Sequence, residues 1–429
     1  MPTTVEKILD APRVAPAFSF RANQTAPLPS EMTFRRDQTS DGSGAYAFDQ
    51  RKGLYVSRDA DVPRYSDDPR TGASRGLLVE SSPATNNARF SSDVESWNDN
   101  TSGVSFSNVD SIFAGAGSNS NIGPKEVSTS GSDSDRVGQN SGVLSGDQEI
   151  MRVIAEQSSA SKWGFRIRNP DDGSDLALLE HTFSDDSLTL DRGSVQDMNV
   201  RELSTGPNGG RLVSVMFRVA GGNSSNIDGD VRQLFVFPDR NGNGDSTIIH
   251  HVDNGERRFV GAPIVTGSSA VTRQGERVAV DLSDVWNETE GTLLLTITAP
   301  FFSGETFNVI GAGSFERNLY IASNNPPYAL KSSDGTNKPT VANAIPPFQP
   351  ARVGVSFDKS QIAIAANGET DQAPHNGSLL ANSVLDLVDS TDYLMQYDQI
   401  EYKPKALPAA ESDRSAGDPP SLETLTSQP

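Results

Sequence analysis

From about residue 150 to residue 270 the chain repeats one pattern. A short apolar or alternating run is followed by a Gly, Asp or Asn turn, and then by another run. Ile150–Ala155, Trp163–Ile167, Leu176–Leu179, Leu188–Leu190, Leu212–Val219, Leu234–Phe237 and Phe259–Val265 are such runs. Turn signals at Asp172-Gly173, Asn208-Gly209-Gly210 and Asn254-Gly255 separate them. Short strands with tight turns fit an antiparallel sandwich and leave no room for long amphipathic helices. The pattern resumes beyond residue 270 with Val278–Leu282, Thr292–Thr298, Phe307–Ile310, Leu319–Ala322, Arg352–Phe357, Gln361–Ala366 and Tyr393–Tyr402. A chain of 429 residues exceeds one ordinary core. The expected fold class is all-β: an N-terminal arm and small β module followed by two antiparallel β-sandwich (jelly-roll) domains.

The expected boundaries are an extended, Pro-broken anchoring arm over 1–30, a β module over 31–86, a first sandwich over 87–268, a second over 269–405 and a polar tail over 406–429. Within the first sandwich lies a Ser/Gly/Asn-rich segment, 98–148. It reads as a disordered linker or as short strands with long polar loops, and the alternation in Val104–Phe106 and Ser111–Ala114 favours strands. Thr4–Asp10 has the composition for one or two helical turns before Pro12, and Pro408–Arg414 for a short closing helix.

Several function classes are excluded or disfavoured at once. The chain has no cysteine, which removes disulfides, thiolate metal sites and cysteine nucleophiles. Its formal charge of −20 repels nucleic acid and anionic membranes. No apolar run approaches the roughly 20 residues of a membrane span, and the first residues lack the apolar stretch of a secretory signal. The expectation is therefore no nucleic acid and no membrane insertion.

Candidate chemistry is sparse. Asp239-Arg240-Asn241-Gly242-Asn243-Gly244-Asp245 has the spacing of a calcium loop, with Asp239, Asn241, Asn243 and Asp245 as ligands. Position twelve is His250 rather than a bidentate Glu, and the same residues also suit a plain hairpin tip. His250 and His251, adjacent on a strand, point to opposite faces and cannot readily share a metal. His181 and His375 stand alone. The carboxylates Asp171, Asp172, Asp175, Asp185, Asp186, Asp228 and Asp230 read as solvated surface. No Gly-x-Ser-x-Gly elbow, P-loop or HExxH run is present, so catalysis is not expected. Trp97, Trp163 and Trp286 are candidates for stacking on sugar rings, with Trp163 better placed as a core residue.

The most informative run is Val62–Glu80, VPRYSDDPRTGASRGLLVE, where turn residues feed the strand Leu77–Val79. Phe34-Arg35, Tyr46, Gly53-Leu54, Pro63-Arg64-Tyr65, Asp68-Pro69-Arg70-Thr71-Gly72 and Arg75-Gly76-Leu77-Leu78-Val79-Glu80 together resemble the N-terminal module of tailed-phage and gene-transfer-agent virion proteins, of the head-spike or tail-fibre kind. Thr85-Asn86 keeps the end of the segment that usually follows. Gly209–Val215 is similar to a strand of that group's carbohydrate-binding-module-like jelly rolls, with Gly210 in place of an aromatic. Glu290–Thr298 resembles the first strands of a laminin-G/concanavalin-like sandwich.

The resemblance implies a virion structural protein, a spike or fibre that contacts host-surface polysaccharide. Its implied partners are capsid, portal or tail proteins and two further copies of itself, as a homotrimer. It implies localisation to the virion and no cofactor, calcium apart. A virion-associated polysaccharide depolymerase and a free bacterial lectin or adhesin are the alternatives. Arg64, Asp68, Arg75 and Glu80 are expected in ion pairs that hold the joint between the N-terminal module and the sandwiches.

Overall fold

The structure is a computed structural model. It describes residues 16–22, 27–37, 45–49, 52, 54–67, 74–80, 83–114, 123–142, 149–219, 231–255, 262–299, 305–311, 319–323, 327–332, 338–375, 383–387, 394–407 and 426–427. The chain is all-β; among the described residues the named strands pair antiparallel, and a 3-10 turn lies at Val94–Ser96. No helix among the described residues is long and apolar enough to cross a membrane.

The first sandwich faces a six-stranded sheet with a five-stranded one. Across the six-stranded sheet the order is Val195–Thr205, Arg211–Val219, Ile150–Gln157, Ser246–Gly255, Lys125–Ser128 and Ser105–Asn108. Across the five-stranded sheet it is Val137–Asn140, Gln233–Phe237, Lys162–Arg168, Asp175–Thr182 and Ser187–Gly193. Alternation along each strand sends Met151, Val153, Trp163, Phe165, Phe217 and Val236 into one core between the sheets. The segment 98–148 contributes three of these strands, so its described part is sheet and not linker. The run Phe259–Val265 departs from expectation. Residues 262–265 are irregular, and 259–261 lie outside the described residues.

The second sandwich is built from an eight-stranded and a seven-stranded sheet. Here the expected domain division fails. The arm and the N-terminal β module do not stand apart, because they supply strands to both sheets of this sandwich. Phe18–Arg21 pairs with Leu394–Lys403, and Phe20 lies opposite Ile400. Met32–Arg36 pairs with Glu276–Asp281. Ser74–Glu80 pairs with Leu394–Lys403 on one side and with Arg64–Asp67 on the other. Phe18, Phe20, Met32, Phe34, Leu77 and Val79 belong to the same core as Leu295, Val353 and Tyr402. The physical reason is edge satisfaction: strands with one apolar face are stable only when both that face and their backbone groups are covered. The remaining hairpin of this region, Ala45–Asp49 with Leu54–Arg58, lies instead against the first sandwich. Tyr46 and Tyr55 pack there with Phe113, Ile154, Leu203 and Leu212.

Asn367-Gly368 joins Gln361–Ala366 to Glu369–Pro374 with both φ angles positive, at 48° and 90°. That is the geometry a two-residue Asn-Gly hairpin requires. The expected helical turns at Thr4–Asp10 and Pro408–Arg414 lie outside the described residues, as do Asp68–Gly72, Asp228 and Asp230.

Candidate functional site

The run Val62–Glu80 ends in a buried ionic joint. Arg64 and Glu80 have no solvent exposure, and each meets the other's charge. Arg64 Nε donates to Glu276 Oε1 at 2.7 Å, and Arg36 Nη1 donates to the same oxygen at 2.8 Å. The Glu80 backbone N–H donates to Glu276 Oε2 at 2.8 Å. Arg273 pairs with the same Glu80 oxygen as Arg64, and the Ala262 N–H donates to Glu80 Oε1 at 3.0 Å. Arg64 Nη1 reaches the Tyr46 carbonyl at 2.9 Å. One cluster therefore ties both sheets of the second sandwich to the Tyr46 hairpin and to the segment that leaves the first sandwich. Burial opposes the charge on Glu80, but Arg273 and Arg64 outweigh it and pull its pKa down to about 2. Glu276 and Glu80 in turn hold Arg64 above its ordinary value against the cost of burial. The expected Arg64 and Glu80 pairing is thus present, whereas Asp68 and the Arg75 side chain lie outside the described residues.

Asn86 fixes the other side of the joint. Its Nδ2 donates to the carbonyls of Val252 at 3.1 Å and Ile264 at 2.8 Å, and its Oδ1 accepts from the N–H groups of Asn254 and Ala88. Beside it Thr85 and Thr272 share a hydroxyl contact of 2.9 Å, within a short ribbon of Ala84–Asn86 and Val271–Arg273.

In the proposed calcium loop the Asp239 carboxylate is taken up by the backbone. Asp239 Oδ1 accepts from the Asn241 N–H, and Oδ2 accepts from the N–H groups of Asn243, Gly244 and Asp245. Burial opposes its charge, yet those four donors hold its carboxyl below the usual range. Asn241 Nδ2 turns away to Ser161 Oγ at 2.7 Å. Among the described residues no group of three or more His, Asp or Glu side chains is arranged to hold a metal. The loop carries the chain from Gln233–Phe237 of the five-stranded sheet to Ser246–Gly255 of the six-stranded one and is closed on the Asp239 carboxylate.

The histidines are buried and structural. His250 Nε2 meets Glu156 at 2.9 Å, and His251 Nδ1 meets Ser92 at 2.9 Å. Burial pushes the His250 pKa down despite the carboxylate beside it. Trp163 Nε1 donates to His181 Nδ1 at 3.0 Å, so the proton of a neutral His181 sits on Nε2, which faces Asp186 at 3.4 Å. Burial also lowers the His181 pKa. Trp97 and Trp163 are core residues. Trp286 alone is half-buried, stacked on Tyr402 with centroids 5.0 Å apart and 5.9 Å from Phe357. Phe357 also lines a depression of about 240 Å³ with Ser356, Asp358, Gln361 and Leu407.

The sequence reading missed the outer face of the five-stranded sheet. Phe235 and Phe237 point outward there, opposite the inward Leu234 and Val236, and are roofed by guanidinium groups. The Arg136 Cζ lies 5.0 Å from the Phe235 centroid and that of Arg166 4.4 Å from it. Arg166 is also 5.3 Å from Phe237, and Arg240 is 5.1 Å from it. Two glycines make room: a Cβ on Gly138 would strike the Phe235 ring, and one on Gly164 would press the Arg240 stem. Lys162, Arg168 and Arg192 extend the basic face. Burial and the charges of Arg136, Arg168 and Arg192 pull the Arg166 pKa down, against the attraction of Asp175. The alternation Lys162-x-Gly164-x-Arg166-x-Arg168 was a visible signal, but its pairing with Phe235 across strands was not.

No family model matches the chain, and no curated protein does. Among solved structures it is similar to the binding domain of botulinum neurotoxin serotype D, at 11% identity over 31% of this chain and 38% of that one, with a TM-score of 0.26. It is similar to domain 4 of AbnA, a GH43 extracellular arabinanase from Geobacillus stearothermophilus in complex with arabinotriose, at 14% identity over 36% and 73%, with a TM-score of 0.24. Domains LG4-5 of the mouse laminin alpha1 chain match at 10% identity over 63% and 86%, with a TM-score of 0.21. The chain spans under two fifths of the length of the neurotoxin binding domain it matches.

Proposed function

We propose that this chain is a structural protein of a tailed bacteriophage or phage-like particle, a spike or fibre that contacts host-surface glycans by binding and not by catalysis. The observation that carries the reading is the buried joint. Arg64 and Glu80, both within the ordered motif of residues 34–80, are the ions that lock the hairpin, the linker ribbon and both sheets of the second sandwich together. A projecting attachment protein needs such a joint, because a surface held at a fixed distance and angle can engage many weak sites at once. Capsid, portal or tail proteins are the partners on the particle side, and the homotrimer follows from the resemblance alone.

The test is mass spectrometry of purified particles from the source, together with a glycan array probed with the full chain. Stoichiometric recovery in particles and retention of at least one polysaccharide are expected. Absence from the particles overturns the virion assignment, and a blank array overturns the glycan contact.

A further inference from the structure

The outer face of the five-stranded sheet is set apart from the rest of the molecule by charge. Arg136, Lys162, Arg166, Arg168, Arg192 and Arg240 gather on it against the carboxylates Asp175, Glu180 and Asp191. The chain as a whole carries −20. A local excess of cations on so acidic a protein is a directed feature. At physiological salt the screening length is about 8 Å, so a bound polymer senses this face and not the distant acidic surface.

The hydrogen-bonding state of the face points the same way. Lys162 and Arg240 are both drawn to Glu180, and Arg192 sits 3.4 Å from Asp175. Arg136 and Arg166 differ. Through their side chains neither donates a hydrogen bond to a described residue, and both Nε atoms are without a partner. Arg166 has an ion-pair contact alone, 3.5 Å from Asp175. Each guanidinium instead lies over the Phe235 ring. Charged donors left unmade are costly, and a planar fork fixed on a ring is preorganised for a carboxylate.

We infer that this face binds an acidic polysaccharide, one bearing carboxylate groups along its length, with Arg136, Arg166 and Arg192 as its main anion contacts. The inference rests on the glycan-contacting function proposed above and names the class of glycan. Spacing supports a polymer lying across the strands. Arg136 adjoins the first strand in the sheet order, and Arg166 and Arg192 lie on the third and fifth. The Arg136 and Arg166 guanidinium groups lie over the same Phe235 ring, and Arg166 and Arg192 both reach Asp175, so the three cations form one continuous row across these strands. A polymer of uronic acids, with a carboxylate on every sugar, supplies anions all along such a row.

The test compares binding of the full chain to alginate, to neutral dextran and to duplex DNA at about 0.15 M salt, where surface charge is screened over about 8 Å. Alginate is expected to bind and the other two not. Arg166→Gln and Arg192→Gln are each expected to weaken alginate binding about tenfold, the scale of one charge-assisted hydrogen bond, with thermal midpoints unchanged. Arg192 is 61% exposed, so its variant reports on binding even if the Arg166 variant misfolds. Equal binding of dextran and alginate overturns the acidic specificity and leaves the glycan reading standing. No binding to any glycan overturns both. DNA binding as tight as alginate shows a general polyanion surface and overturns the inference, as does alginate binding that neither variant weakens.

Discussion

Two carboxylates decide how the joint responds to its surroundings. Glu276 accepts from Arg36, Arg64 and the Glu80 backbone, and its side chain has no solvent exposure. Removing its charge leaves two buried guanidinium groups without their shared partner. Glu276→Gln should cost about 3–5 kcal/mol of stability, the usual penalty for breaking a buried pair from one side, measured by denaturant unfolding. Glu80 adds a pH dependence. Its folded pKa of about 2 lies below the ordinary 4.5. Its contribution is therefore complete above pH about 4.5 and is lost progressively as pH falls toward about 2. Thermal midpoints recorded from pH 7 to pH 2 should fall mainly within that window, and the fall should be smaller in Glu80→Gln. A midpoint as steep in the variant as in the parent would assign the acid sensitivity to other groups.

At the scale of the element, the strand Ser74–Glu80 shows why one glycine is fixed. Gly76 has a φ of 93°, and a Cβ there would overlap the carbonyl of Tyr397 on the neighbouring strand. Gly76→Val meets both the left-handed backbone penalty and that collision. It should abolish soluble expression or drive the chain into aggregates, read by gel filtration. Folded, monodisperse variant would show that the strand can shift away. How far such elements were legible follows from the distance over which each is determined. The alternation of Trp163, Phe165 and Ile167 is local, and so is the turn chemistry of Asn367-Gly368; both were readable. The destination of Met32–Arg36 was not, because its partner Glu276–Asp281 lies some 240 residues away along the chain. An amphipathic strand declares that it needs a neighbour, not which one. The same limit hid the basic face: arginines alternating on Lys162–Arg168 look like a solvated surface until Phe235 is seen beneath them. The calcium spacing of Asp239–Asp245 has a second use that the sequence does not separate from the first, since one carboxylate can close a tight Gly-rich loop by accepting four backbone N–H groups.

At the scale of the whole molecule, the chain route makes the two sandwiches interdependent. The described chain enters the second sandwich with Phe18–Arg21 and Met32–Arg36, crosses to lay the Tyr46 hairpin on the first, and returns with Arg64–Asp67 and Ser74–Glu80. It then builds the first sandwich entire before completing the second. Domains joined by a simple linker unfold separately, whereas these share a hairpin, a ribbon and a buried ionic cluster. The parent protein should therefore unfold in a single calorimetric transition at neutral pH. Asn86→Ala removes the acceptor for Asn254 and Ala88 and the donor to Val252 and Ile264, which ties the ribbon to the first sandwich without touching either core. That variant should split the single transition into two, one for each sandwich. If the parent already shows two transitions, the joint is not rigid, and the fixed presentation on which the attachment role depends is lost with it.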